Sequence, residues 1–356
     1  MMMSDRGLSR RILLAGAAGV SLPLAAPRML RAAEPATVNV VGYFGIFEDN
    51  YTKAVLQPFM QTNPDVKVVF KPVRGSAEAT AMLRTQKAKP QADAVIMDLS
   101  IAAQNAREGL FAPLDPAVVT NLADIPAWGR PANNMGAALT QDVLVQLTAP
   151  KKLKKQPASW LDLADPAYAG RAGMPIGDVR GTVLLALLCR MAGVDYKQSV
   201  DAGIASLKKI AANVQTYEPQ PDIYTAIRSG VIDIGIGWNA RGQSNQDQAN
   251  GEFAAIVPVE GTAPQVNTIN LVANAPAGGA AQKFINYALG AEAQKAFAEA
   301  LFYGPTNSKA VLDPALATRI FGTLEVRAKQ MELDWDWFSR NNNTLLQRIR
   351  REVIAS

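Results

Sequence analysis

The sequence predicts an α/β protein of two lobes, and three observations carry that expectation. Short apolar strands alternate with amphipathic helices across short connections, the pattern of a parallel, doubly wound sheet. At 356 residues the chain exceeds what one small core organises, so each lobe is expected to have its own apolar interior. The stretch 231–243 then runs from an apolar strand into Trp238, Asn239 and Arg241. A parallel strand delivers its C-terminal end to a crevice, so an aromatic face, an amide and a guanidinium presented together furnish a ligand pocket. The competing role of this stretch is a buried strand followed by an ordinary polar helix start.

Residues 1–33 stand apart. Arg6, Arg10 and Arg11 precede a weakly apolar run over 12–26, and Ala32 and Ala33 follow, which is the build of an export signal cleaved near Ala33. Ser9-Arg10-Arg11-Ile12-Leu13-Leu14 has the look of a twin-arginine signal. Gly16, Gly19 and Pro23 interrupt the run too often for a membrane anchor. Five arginines and one aspartate in this segment account for +4 of the formal +5, so the mature part is near neutral and the charge is no argument for nucleic acid.

Hydrophobic content of 49% against 19% charged residues excludes a disordered chain. The lone Cys189 lies in the apolar run 183–191 and is expected in the core, with no disulfide framework. Histidine is absent, which removes Ser-His-Asp and Cys-His catalysis and the usual zinc ligands.

In chain order, 37–41 reads as a buried strand, with Tyr43 and Phe44 in the loop at its mouth. Asn50 is placed to cap a helix running to about Thr62, stopped by Asn63-Pro64. A strand over 66–70 leads through Arg74-Gly75-Ser76 into a helix with Glu78 in its first turn. A third strand over 94–97 ends at Asp98, and the helix after it closes at Gly109. The weakly alternating stretch 132–148 crosses into the second lobe, and the lysines at 151, 152, 154 and 155 read as solvated surface.

A short helix at 160–168, a strand at 173–176 and a helix at 181–191 follow. An amphipathic helix over 199–213 and a strand over 214–217 precede a helix capped by Asp222. The strand that opens the 231–243 stretch is then the last of the second set. Strands at 255–259 and 268–272 return the chain to the first lobe, and helices occupy 282–289, 291–301 and about 344–354. Trp335, Trp337 and Phe338 precede the last helix and read as a core plug.

Five motifs keep a common order. They are Trp160-Leu161-Asp162-Leu163-Ala164-Asp165-Pro166-Ala167-Tyr168-Ala169-Gly170, Ile234-Gly235-Ile236-Gly237-Trp238-Asn239, Val257-Pro258-Val259-Glu260-Gly261, Lys283-Phe284-Ile285-Asn286-Tyr287-Ala288-Leu289 and Tyr303-Gly304-Pro305-Thr306-Asn307. Together they resemble the periplasmic substrate-binding proteins of ABC importers, nearest the spermidine/putrescine-binding branch. The resemblance implies the type II periplasmic binding protein fold, with doubly wound, mainly parallel sheets in two lobes joined by a hinge. It places residues 37–138 and 256–304 in lobe 1, and 139–255 and 305–356 in lobe 2. It also implies a small-molecule ligand clamped by hinge closure, ABC permease subunits as partners, a monomer in the periplasm, no cofactor and no turnover.

The ligand is read position by position. Trp238 and Tyr303 stand where the branch has aromatics that flank a polyamine chain. Its expected carboxylates fall at or near Gly181 and at Asn267 and an expected tryptophan at Gln265, while Arg241 stands where a small residue is usual. Losing acids and gaining a guanidinium turns the pocket toward anions, since like charges in a dry cleft are poorly screened.

Arg241, with Arg74 or Arg180 as helper, suits a carboxylate or phosphonate held bidentately. Asp98 and Asp178 remain for a ligand amine, so the expected cargo is a zwitterion or organic anion such as an ω-amino acid, with a polyamine as the alternative. Arg241 could instead pair with Asp247 or Glu252, Asp98 could cap a helix, and Asp178 could pair with Arg180. A cleft enzyme using Asp98, Asp178 or Asp222 is the rival class. A ferric-ion binder is the third reading, with Tyr303 as the one tyrosine in place for it.

Overall fold

The computed structural model describes residues 34–322 and 324–355, and the export signal expected over 1–33 lies outside them. Among the described residues the strands are β1 (Ala36–Tyr43), β2 (Val66–Val73), β3 (Ala94–Asp98), β4 (Phe111–Ala112), β5 (Ala137–Thr148), β6 (Ala172–Gly173), β7 (Val214–Thr216), β8 (Ile234–Trp238), β9 (Ala254–Ile256), β10 (Pro264–Val272) and β11 (Gly304–Pro305). They line up as β2-β1-β3-β10-β5-β8-β6-β7, with β4 beside β10 and both β9 and β11 beside β5. The two flanks, β2-β1-β3 and β8-β6-β7, are parallel. β10 and β5 run antiparallel between them. Every residue of β3 and the first four of β8 are buried, which is why both read as unbroken apolar runs.

β5 belongs to both halves. It pairs with β10 through Val143 and with β8 from Leu144 onward. Asp142, buried at the point of change, spends its carboxylate on backbone amides. Its Oδ1 accepts from Val143 N at 2.8 Å and from Ala240 N at 3.0 Å, and its Oδ2 accepts from Ala240 N at 3.1 Å. Ala240 lies in the first turn of the helix Asn239–Gln248, so the acid sits at that helix's positive end.

The two largest of four apolar clusters among the described residues flank the crossing strand. Near β1, Phe47, Tyr51, Phe297 and Tyr303 pack ring on ring with centroids 5.1–5.4 Å apart. Near β8, Trp160 and the helix Val179–Met191 pack with the helix Asp201–Ala211 and with Trp335–Ile349. Cys189 is fully buried there, close enough to Gly203 that a Cβ at 203 would lie 2.7 Å from its Sγ. The last helix also packs on Leu99–Arg107, and Arg107 donates to Ser339 O at 2.8 Å and to its Oγ at 3.0 Å. No described helix is long and apolar enough to cross a membrane.

Several local expectations shift. The first helix begins at Ile46, so Asn50 lies inside it and donates to Ile46 O instead of capping it. The strand expected at 173–176 ends at Gly173, because the chain folds back and Ile176 N donates to Met174 O. Trp335, Trp337 and Phe338 open the last helix instead of preceding it, and Trp337 and Phe338 pack on Tyr196, as a core plug should.

Burial pushes the Asp142 carboxyl up to about 8, against the pull of its amide partners and of Arg241. The folded state therefore keeps a proton that the unfolded chain releases near 4. Stability gained this way is complete below that value and is lost as pH rises to about 8. Asp142→Asn should remove a slope of roughly 1.4 kcal/mol per pH unit across that window, measured by urea unfolding between pH 5 and 8.

Candidate functional site

The strand ends and the last helix enclose a cleft of about 430 Å³. Its first wall comes from the ends of β1, β3 and β10 and from the helix Ser76–Thr85, and carries Tyr43, Arg74, Ser76, Asp98, Ile101 and Gln265. Tyr303, whose ring stacks on Phe297 at 5.4 Å, adds to it. The second wall comes from β8 and three helix N-termini, and carries Asp178, Arg180, Tyr224, Trp238 and Arg241. Asn342, Leu346 and Arg350 form a third.

The first wall is knit by hydrogen bonds. Ser76 Oγ donates to Asp98 Oδ2 at 2.6 Å and accepts from Asp98 N at 3.0 Å. Gln265 Nε2 donates to Asp98 Oδ1 at 2.6 Å. The Tyr43 hydroxyl lies 3.2 Å from Ser76 Oγ and donates to Asn267 Oδ1 at 2.9 Å. Asn267 Nδ2 in turn donates to Thr140 Oγ1 at 3.0 Å. Burial raises the Asp98 carboxyl above its ordinary range, and the bonds from Ser76 and Gln265 hold it back in part. Asp98 opens the helix Leu99–Arg107 without a side-chain cap, so its carboxylate serves the cleft wall.

On the second wall Asp178 caps the helix Val179–Met191 through Arg180 N at 2.9 Å. It also holds the Arg180 guanidinium, with Nε on Oδ1 at 3.0 Å and Nη2 on Oδ2 at 2.6 Å. Arg241 is half-buried beside the Tyr303 hydroxyl. The surface pairs considered for it are taken by others, because Asp247 binds Arg319 at 2.6 Å and Glu252 binds Lys151 at 3.5 Å. Tyr224 locks the strand end, accepting from Trp238 N at 2.8 Å and donating to Trp238 O at 3.2 Å. Gly237 leaves room for that ring, since a Cβ there would lie 3.0 Å from the Tyr224 hydroxyl.

Of the twelve residues singled out in the sequence, Tyr43, Arg74, Asp98, Asp178, Arg180, Trp238, Arg241, Gln265 and Tyr303 line this cleft. Three do not. Phe44 turns to a smaller recess of about 160 Å³ that Tyr224 and Arg241 separate from the main one. Asn239 is buried and donates to Arg319 O and Ile320 O, tying β8 to the helix Pro314–Phe321. Asn267 stands behind Tyr43 as its acceptor. Ser76, Tyr224, Asn342 and Arg350 were missed. Ser76 and Tyr224 were legible as first-turn residues of helices beside strand ends, whereas nothing local marked the last helix as a wall.

Three tyrosines reach the cleft, Tyr43 and Tyr303 as expected and Tyr224 in addition. The Tyr43 and Tyr224 hydroxyls already hold protein partners, and Tyr303 faces a guanidinium. Among the described residues no group of three acidic or thiol ligands could hold a metal ion.

A family model described as bacterial extracellular solute-binding protein matches residues 54–320. The Escherichia coli (strain K12) spermidine/putrescine-binding periplasmic protein is 24% identical over 323 residues, 87% of this chain and 88% of that protein. A gamma-aminobutyric acid-binding protein of Pseudomonas aeruginosa is 25% identical over 285 residues, 77% of this chain and 78% of that one. In fold, the chain is similar to a periplasmic binding protein of A. tumefaciens R10 solved in complex with agropinic acid. That likeness has a TM-score of 0.76 at 24% identity and covers 90% of this chain and 99% of the other.

Gly181 lies so close to the turn before its helix that a Cβ would sit 2.0 Å from Ile176 O, a contact backbone atoms cannot relieve cheaply. Gly181→Ala is expected to destabilise the protein by about 1–3 kcal/mol, read as a lowered urea midpoint with an unchanged m-value.

Proposed function

The chain belongs to the bacterial extracellular solute-binding proteins, and on that premise we propose that it captures a small organic anion in the cleft for an ABC importer. Zwitterions such as ω-amino acids fall within that class. Arg241 carries the reading: a half-buried guanidinium on the cleft wall, with no carboxylate in ion-pair range among the described residues. A ligand carboxylate or phosphonate would satisfy its fork of donors bidentately. Trp238 and Tyr303 add aromatic surface to the same cleft. Arg74 and Arg350 add cations to the wall, which favours an anion further.

Polyamine capture needs acids open to an ammonium. Asp178 is held by Arg180 and Asp98 by Ser76 and Gln265, which leaves Glu78, one oxygen of which accepts from Arg74 N at 2.8 Å, as the one cleft acid set against the guanidinia of Arg74, Arg241 and Arg350, a balance that disfavours a polycation. The same occupancy weighs against turnover, since no pair of cleft carboxylates stands ready as acid and base. Asp222 caps its own helix through Thr225 N at 2.8 Å and lines the smaller recess.

The protein works as a monomer in the periplasm, reached through the twin-arginine-like leader. It closes its lobes on the ligand and delivers it to permease subunits, a hinge motion triggered by a small molecule. The lobes are residues 37–138 with 256–304, and 139–255 with 305–356, and the boundary near 138 falls within β5.

A thermal-shift screen of the mature protein tests the ligand class, because a ligand that binds only the folded state raises its melting point. Dicarboxylates, ω-amino acids or aminophosphonates should stabilise it. Stabilisation by putrescine or spermidine alone would refute the anion reading. Arg241→Ala should weaken a stabilising anion about 10- to 100-fold in isothermal titration, the loss of one charge-assisted pair.

A further inference from the structure

The cleft holds more cations than its acids answer. Arg74 stands on its first wall, Arg241 on the second and Arg350 on the third, around one cavity of about 430 Å³. Arg180 and Asp178 cancel each other in a bidentate pair. Glu78 is the remaining acid open to the cavity, and its Oε2 already accepts from Arg74 N at 2.8 Å. Asp98 is wrapped by Ser76 and Gln265, and burial favours its neutral form. Three guanidinia against one open carboxylate leave an excess that a single anionic group on Arg241 does not meet. A cavity of this size is roughly a Debye length across at physiological salt, so a guest inside it feels these charges together.

The three cations differ in what already holds them. Arg350 Nη2 donates to Gly177 O at 3.3 Å, and Arg241 has the Tyr303 hydroxyl beside it. Among the described residues the exposed Arg74 side chain makes neither hydrogen bond nor ion pair. We infer that Arg74 holds a second anionic group of the ligand, so that the cargo is a dianion with one group on Arg241 and the other across the cleft on Arg74. The inference rests on the anion reading of the cleft and goes beyond it by adding a second charge, where Arg74 would otherwise only assist Arg241 at the first. A guest that fills the cavity displaces water, and the attraction between each guanidinium and its anion strengthens as the surroundings dry. A monoanion takes water from Arg74 with nothing in exchange, so it binds more weakly than a dianion of the same length. An ω-amino acid sets its ammonium against that same cation.

Titration calorimetry of the wild-type protein with succinate, glutarate and adipate tests this. Each is set beside the monocarboxylate of the same chain length, butanoate, pentanoate or hexanoate, and beside the matching ω-amino acid, 3-aminopropanoate, 4-aminobutanoate or 5-aminopentanoate. At the best-fitting length the dicarboxylate should bind at least about tenfold more tightly than either counterpart. Added salt should weaken it more than the monocarboxylate, since screening then acts on two pairs instead of one. In Arg74→Gln the preference for dicarboxylate over monocarboxylate should fall below about threefold. Equal binding of dicarboxylate and monocarboxylate would overturn the inference, and so would a preference for the ω-amino acid, which would give the far end to Glu78. A dicarboxylate preference that survives Arg74→Gln would overturn it as well, assigning the second group to Arg350. Absence of binding by all these ligands would overturn it too, and the wider anion screen and Arg241→Ala then decide separately whether the anion reading stands. The salt and chain-length series need no variant, so they decide even where Arg74→Gln fails to fold.

Discussion

The site depends on one clamp, the Asp142 carboxylate at the start of the helix Asn239–Gln248. β5 passes from the β10 half of the sheet to the β8 half one residue after Asp142, so the clamp ties the crossing strand to the turn that bears Trp238 and Arg241. An ionised carboxylate at this place gains from three amide contacts and from the helix's positive end, and loses from burial. Burial is the larger of these, so the crossing is held by a carboxyl that gives up its proton less readily than a surface acid.

The two main walls treat charge differently. The β1 wall sequesters its acid, wrapping Asp98 in a hydroxyl and an amide that are themselves held by Tyr43 and Asn267. The β8 wall neutralises its acid outright with Arg180 and then adds Arg241 with a tyrosine hydroxyl for company. What remains available to a guest is the guanidinia of Arg74, Arg241 and Arg350, the Glu78 carboxylate and aromatic faces. Such a site selects by the sign of charge as well as by shape.

Much of this was legible in the sequence because parallel strands announce themselves twice, as apolar runs and as places where polar residues suddenly follow. Tyr43, Asp98 and Trp238 are the terminal residues of β1, β3 and β8, so reading each strand's end located a wall. Asn239 and Asn267 misled for the same reason: a polar residue at a strand end can turn to the ligand or to the scaffold, and only packing decides. Asn239 found the free carbonyls at the end of the helix Pro314–Phe321, and Asn267 found Tyr43. The pairing of Asp178 with Arg180 was among the alternatives the spacing allowed, whereas Asp247 and Glu252 bond Arg319 and Lys151 and not Arg241. The third wall was illegible, because helical periodicity in Trp335–Ile349 shows that the helix has an apolar face but not which elements it will cover.

That third wall has a consequence for the order of events during synthesis. Both flanks of the sheet are complete by β10, yet Asn342, Leu346 and Arg350 are among the last described residues to leave the ribosome. A nascent chain can therefore assemble its sheet while its pocket still lies open on one side. The three walls stand together only once the chain has been made through Arg350.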